Sequence, residues 1–156
     1  MNKLYLIVIV LALGSYIYLD LTQQIKPIVY GESRFTFQIP GREIELVTIG
    51  QRIGMEDCLE MRDLVFQQID AVCNNEKICY ENKNYECKTT VDAKYQDMLD
   101  QQPSRTHYLH VKQPGENLNG VILYWGMTEN ESWVVCNMMV EKMNKYKQVE
   151  SNTQCI

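Results

Sequence analysis

The chain is poor in the residues and motifs from which most enzyme sites are built. It carries two histidines in 156 residues, His107 and His110. G-x-S-x-G, H-E-x-x-H and a phosphate-cradling glycine loop are all missing, which leaves the common hydrolase, zinc-protease and nucleotide-binding readings without support. C-x-x-C is missing as well, and with it the usual signature of a redox dithiol or a zinc site. Basic clusters are absent, so the chain lacks the electrostatic footprint of a nucleic-acid binder. The charge that is present, 20 Asp and Glu against 15 Lys and Arg, is scattered in the manner of an ordinary solvated surface. No internal repeat or low-complexity tract divides the chain.

What is present begins with Leu4 to Leu19, an apolar run without a charge, preceded by Lys3 and followed by Asp20. Such a run is an export signal, cleaved or retained. A cleaved signal peptide would use Ala12-Leu13-Gly14 and be cut before Ser15. The apolar run continues through Tyr16, Ile17, Tyr18 and Leu19, which favours an uncleaved anchor. At ~1.5 Å per residue the run spans roughly 24 Å, short of the ~30 Å hydrocarbon core. Tyr16 and Tyr18 at headgroup level relieve that mismatch. Position 15 is serine, so no thiol is offered there to a bacterial lipid anchor. With Lys3 held in the cytoplasm, the remainder is expected on the far side of the inner membrane, periplasmic or extracellular. Residues 1–20 are read as anchor or signal, 21–33 as a tether and 34–156 as one folded domain.

That compartment decides how the cysteines are read. Cys58, Cys73, Cys79, Cys87, Cys136 and Cys155 make an even number, all beyond the apolar run. Disulfides are expected over a metal site. Cys58 and Cys73 fall on one predicted helix, roughly 22 Å apart, too far for a bridge. Cys79 with Cys87 closes a small loop and is the most natural pair. Cys155 with Cys73, and Cys58 with Cys136, complete the expected set.

Alternation over Phe35, Phe37 and Ile39, the turn at Pro40-Gly41, and Ile44 and Leu46 against Glu43 and Glu45 predict a hairpin with one buried face. Gly50 to Gly54 reads as a loop. A helix follows from Met55 to Cys73, with Glu56 and Asp57 in its first turn and a stripe of Cys58, Met61, Val65, Ile69 and Val72, widened by Leu64 and Phe66. Asn74 to Lys88 reads as a polar, stapled loop. A short helix runs from Thr89, paired with Asp92 as a cap, to Gln102 before Pro103. Thr106 to Lys112 and Val121 to Trp125 are strands around a turn holding Pro114-Gly115 and Asn119-Gly120. Thr128 and Glu131 have capping-box spacing and open a last helix to Lys147, with Trp133, Cys136, Met139, Val140, Met143 and Tyr146 inward. Gln148 to Ile156 reads as a tail. Gly-Met after each hairpin, at Gly54-Met55 and Gly126-Met127, suggests a ββα unit used twice. The expectation is an α+β fold with a four-stranded, mostly antiparallel sheet and helices on one face.

Chemistry is weighed on few residues. If Thr106 to Lys112 is a regular strand, His107 and His110 point to opposite faces and cannot share a metal, so each is read as a surface or edge histidine. Cys136 with His107 or His110 is the one nucleophile–base candidate, opposed by the place of Cys136 on an apolar stripe. Trp125, Trp133, Met138, Met139 and Met143 read as core. Tyr80 and Tyr85, on the stapled loop, are the candidate partner-binding residues. Asn130-Glu131-Ser132 is a sequon only in a eukaryotic chain, and its residues already account for a helix start. The reading is a membrane-anchored, disulfide-stapled domain that binds a protein partner outside the cytoplasm, without cofactor or metal.

Overall fold

The computed structural model describes residues 26–76, 82–112, 117–145 and 152–156. The run Leu4 to Leu19, Cys79, Tyr80, the Pro114-Gly115 turn, Tyr146 and the side chains of Ile69, Val72 and Cys73 lie outside the described residues. Six strands form one antiparallel sheet in the order β3-β1-β2-β5-β4-β6. In chain order the elements are β1 (Ile28–Ile39), β2 (Arg42–Ile53), α1 (Gly54–Glu76), β3 (Asn82–Lys88), α2 (Ala93–Leu99), β4 (Tyr108–Lys112), β5 (Asn119–Trp125), α3 (Glu129–Lys145) and β6 (Asn152–Cys155). Among the described residues no helix is long and apolar enough to cross a membrane.

The expected hairpins form. Pro40-Gly41 turns β1 into β2, pairing Ile39 with Arg42, and β4 pairs with β5. The expected cap at the last helix forms in full. Thr128 donates through its backbone N–H and its hydroxyl to Glu131 Oε2, both at 2.8 Å, and Glu131 N donates back to Thr128 Oγ1 at 3.3 Å. Asp92 does precede α2, but without a side-chain capping bond.

The sheet has six strands where four were expected. The two additional ones, β3 and β6, are its edges, and they come from segments read as loop and tail. Both are polar, since an edge strand buries little and is guarded by polar and charged side chains. The tether also ends sooner than expected: β1 starts at Ile28, and Val29, Glu32 and Ser33 are buried. β2 likewise runs through Gly50 to Ile53, where a loop was expected.

Helices cover both faces, not one. Val47 and Ile49 of β2, Val121 and Leu123 of β5 and Tyr108 of β4 share a face and pack with Tyr95, Met98 and Leu99 of α2. The opposite face carries Phe35, Leu46, Leu109 and Ile122 and is covered by the two long helices. α1 packs on the β3-β1-β2 half and α3 on the β5-β4-β6 half. Strand β2 is therefore apolar on both sides, which is why its buried positions, Ile44, Val47 and Ile49, do not alternate strictly.

The order is one unit used twice, β-β-α-β. In each unit the last strand pairs antiparallel with the first: β3 with β1 and β6 with β4. The halves meet at β2 and β5, so the sheet reads as 3-1-2 beside the reverse of 6-4-5. Gly54 (φ 84°) and Gly126 (φ 83°) occupy the matching strand-to-helix corners. A Cβ at Gly126 would lie 2.4 Å from the Glu43 carbonyl oxygen, so that corner excludes any side chain as well as demanding a left-handed backbone. The repeated Gly-Met thus marks equivalent corners.

Candidate functional site

Two disulfides lie among the described residues, Cys58–Cys87 and Cys136–Cys155. Neither is an expected pairing. Cys87 was assigned to Cys79, Cys58 to Cys136 and Cys155 to Cys73. The reason is the two extra strands. β3 carries Cys87 alongside β1 and beneath the first turns of α1, and β6 carries Cys155 beneath α3. Each bridge does the same job in its unit, tying an edge strand to the helix above it. α1 is continuous through positions 58 and 73, as the exclusion of a bridge between them requires.

The Cys–His arrangement is not assembled. Cys136 is oxidised and buried. His110 faces the other side of the sheet, 1% exposed, with its Nε2 donating to the Leu99 carbonyl at 3.2 Å. It is a core residue that holds the end of α2, and not the surface histidine expected. His107 precedes β4 and is partly buried. Among the described residues no group of His, Cys, Asp and Glu is arranged to hold a metal ion.

Several apolar side chains assigned to the core lie at the surface. Trp133 is 52% exposed and Met138 49%, and Leu64 is also exposed; Val134, which carried no assignment, is exposed beside Trp133. Trp125, Met139 and Met143 are partly buried. Tyr85 is half-buried on β3, edge-on to Phe66 at 6.4 Å, with its hydroxyl 3.9 Å from Cys58 Sγ. It is an internal contact between β3 and α1 before it is a free anchor.

The most distinctive geometry is a cleft of about 390 Å³ between the helices and the sheet. Its floor follows from register. Gly31 pairs with Gly50, and Gly50 with Gly120. Three neighbouring strands therefore lack a side chain at one rung, and the rung continues to Cys87 on one side and Val111 on the other. Over that rung α1 contributes Met61 and Val65 and α3 contributes Met143. The Tyr85 ring lies over Gly31, where a Cβ would fall 2.1 Å from its hydroxyl. The Arg52 guanidinium folds back over Gly50, 3.5 Å from where a Cβ would stand. Above Gly120 the nearest neighbours are backbone atoms alone, and the cleft is open there. Burial raises the Tyr85 phenol above its ordinary 10.0, and the adjacent Arg52 charge only partly offsets this.

On the opposite face Glu32, 5% exposed, accepts from Arg34 Nε at 2.6 Å and Lys88 Nζ at 2.9 Å. Arg34 also donates to Glu45 at 3.1 Å and to the Tyr95 hydroxyl at 3.1 Å. Burial works against the Glu32 carboxylate, but the bonds from Lys88 and Arg34 outweigh it and hold the group below its ordinary 4.5. Glu131 is held at about 2 by the Arg42 hydrogen bond first, then by the Thr128 N–H and hydroxyl. Burial lowers His110 below 6.5, opposed in part by its bond to Leu99.

All three groups bind protons more readily in the unfolded chain, so stability rises with pH across their windows. The His110 contribution is complete above about 6.5 and is lost as pH falls through its folded value. The carboxylate contributions are lost below about 4.5, that of Glu131 down to about 2. Urea midpoints are expected to be flat from pH 7 to about 9, to fall gently below pH ~6.5 and to fall steeply below pH ~4.5. In His110→Gln the gentle step should vanish while the steep one stays. A midpoint that rises on acidification would contradict these assignments.

Compared with protein-family models, with curated proteins and with solved structures, the chain matches none.

Proposed function

We propose that this is a membrane-anchored domain held outside the cytoplasm, acting as an accessory or interaction module and not through covalent chemistry. The observation that carries the reading is the pair of equivalent disulfides, one per unit, each fastening an edge strand to its helix. Structural disulfides of this kind belong to oxidising compartments, and the apolar run Leu4 to Leu19 supplies a route there. The oxidised Cys136 and the internal His110 speak against a resting nucleophile. The outer side of α3, with Trp133, Val134 and Met138 exposed together, suits a protein partner, since tryptophan is over-represented at interface hot spots.

The test is alkylation of the full chain, taken from membranes, in denaturant without reductant, followed by intact mass. Cys58, Cys87, Cys136 and Cys155 are expected to stay unlabelled until reductant is added. The mass is expected to include the first 20 residues, and the chain should resist carbonate extraction from the membrane pellet. An alkylated Cys136 in unreduced protein would return the Cys–His reading to first place. A mature chain starting near Ser15 would replace the anchor with a cleaved signal.

A further inference from the structure

We infer that the cleft above the glycine rung is a binding site for a small amphiphilic monocarboxylate, its acid group held by Arg52 and its apolar body lying between α1, α3 and the sheet. The inference is independent of where the domain resides.

Three observations converge on it. The first is that the space is built, not left over. α1 and α3 each cover their own half of the sheet, and the three strands beneath the gap all place glycine at the same rung. A side chain at Gly50 or Gly120 would project into it. The second is the lining. Met61, Val65 and Met143 above and Ile122 and Val111 around give an apolar wall, and methionine adapts its shape to a guest. The third is Arg52. Its Nε is buried and without a hydrogen-bond partner, and among the described residues no carboxylate pairs with it. The guanidinium also bonds the Tyr85 hydroxyl, but an Nε donor buried at an apolar cleft without an acceptor is costly. An incoming carboxylate answers it with the planar, two-point geometry that the guanidinium favours.

Size and charge narrow the ligand. A volume of 390 Å³ lies in the range of small-molecule pockets. That range suits a single small molecule. One cation lining the cleft matches one negative charge. The Tyr85 hydroxyl, beside Arg52 over the same rung, offers a second donor to the acid group.

The probe is 4-phenylbutanoate, with 4-phenylbutanamide as its uncharged counterpart of the same shape. Both are measured by equilibrium dialysis and by saturation-transfer NMR against the full chain in lipid nanodiscs, with empty nanodiscs as the blank. The acid is expected to bind saturably and more tightly than the amide. Arg52→Gln should weaken the acid about tenfold or more, the loss expected for a hydrogen bond to a charged group, and leave the amide within about threefold. Gly120→Val and Val65→Trp each fill the cleft from a different side, floor and roof, and each should abolish binding of both probes. Circular dichroism establishes which filled variants are folded, and one folded variant suffices. Absence of saturable binding of the acid at millimolar concentration would overturn the inference. So would equal affinity for acid and amide, or undiminished binding in a folded, filled variant.

Discussion

Reduction of the two bridges is expected to unfold this domain at room temperature. The bridges close loops with sequence separations of 29 and 19, and on the chain-entropy account each contributes about 3–4 kcal/mol. Together they rival the whole stability of a domain of this size, about 5–15 kcal/mol. The structure makes the dependence local. β6 is four residues long and polar, and its hold on the sheet is the ladder to β4 plus the bond from Cys155 to α3. Without that bond its four residues have little to offset their ordering entropy. The edge of β4, with Tyr108 N and O both paired to Ile156 at 3.0 Å, is then uncovered. Urea titrations followed by near-ultraviolet circular dichroism, with and without reductant, measure the effect. The double variant Cys136→Ser/Cys155→Ser should show about half of it, and the remaining bridge should keep α1 on β3. An unchanged midpoint in reductant would mean that packing alone holds both edges.

Tyr95→Ala should cost about 3–5 kcal/mol, the range for emptying a large buried aromatic site. Tyr95 is wholly buried at the centre of the cluster formed by Val47, Ile49, Val121, Leu123 and Tyr108. It is also the main anchor of α2, a helix of seven residues that is too short to persist by itself. Losing it releases Met98 and Leu99 with it, and with Leu99 the carbonyl to which His110 donates. Tyr95→Phe separates the two roles of the side chain. It keeps the ring, over which Arg34 and Lys94 lie at 5.8 and 4.6 Å, and removes only the hydroxyl that accepts from Arg34. Its cost should be about 1 kcal/mol. Equal losses in the two variants would show that the polar network, not the packing, holds α2 in place.

The parts of this fold that could be read from the chain are those whose physics is local. Pro40-Gly41 makes a turn wherever it sits between alternating segments, and Thr128 with Glu131 caps a helix from within four residues. The antiparallel order followed from two such hairpins. The edge strands were hidden because their stability is borrowed. Asn82 to Lys88 and Asn152 to Cys155 have no apolar alternation of their own and become strands by pairing with β1 and β4. The disulfides were misassigned for the same reason. Closeness in sequence recommended Cys79 for Cys87, while the β3–β1 pairing carries Cys87 to Cys58. His110 was read as a surface or edge histidine because nothing near it in sequence shows that α2 will cover it. The cleft was least legible of all. Gly31 lay in an expected tether, Gly50 in an expected loop and Gly120 in an expected turn, and only the register of three strands brings them onto one rung.

The doubling of the unit has a consequence for the order in which the molecule is finished. No disulfide among the described residues crosses from one half to the other; the backbone seam between them is the β2–β5 pairing, flanked by side-chain bonds from Arg42 to Glu131 and from Asn119 N to Gln51. Synthesis from the N-terminus delivers β1, β2, α1 and β3, and with them both Cys58 and Cys87, before β4 and β5 are made, whereas Cys136 has its partner only in β6. Each latch lies wholly inside its own half, so opening one leaves the loop closed by the other intact.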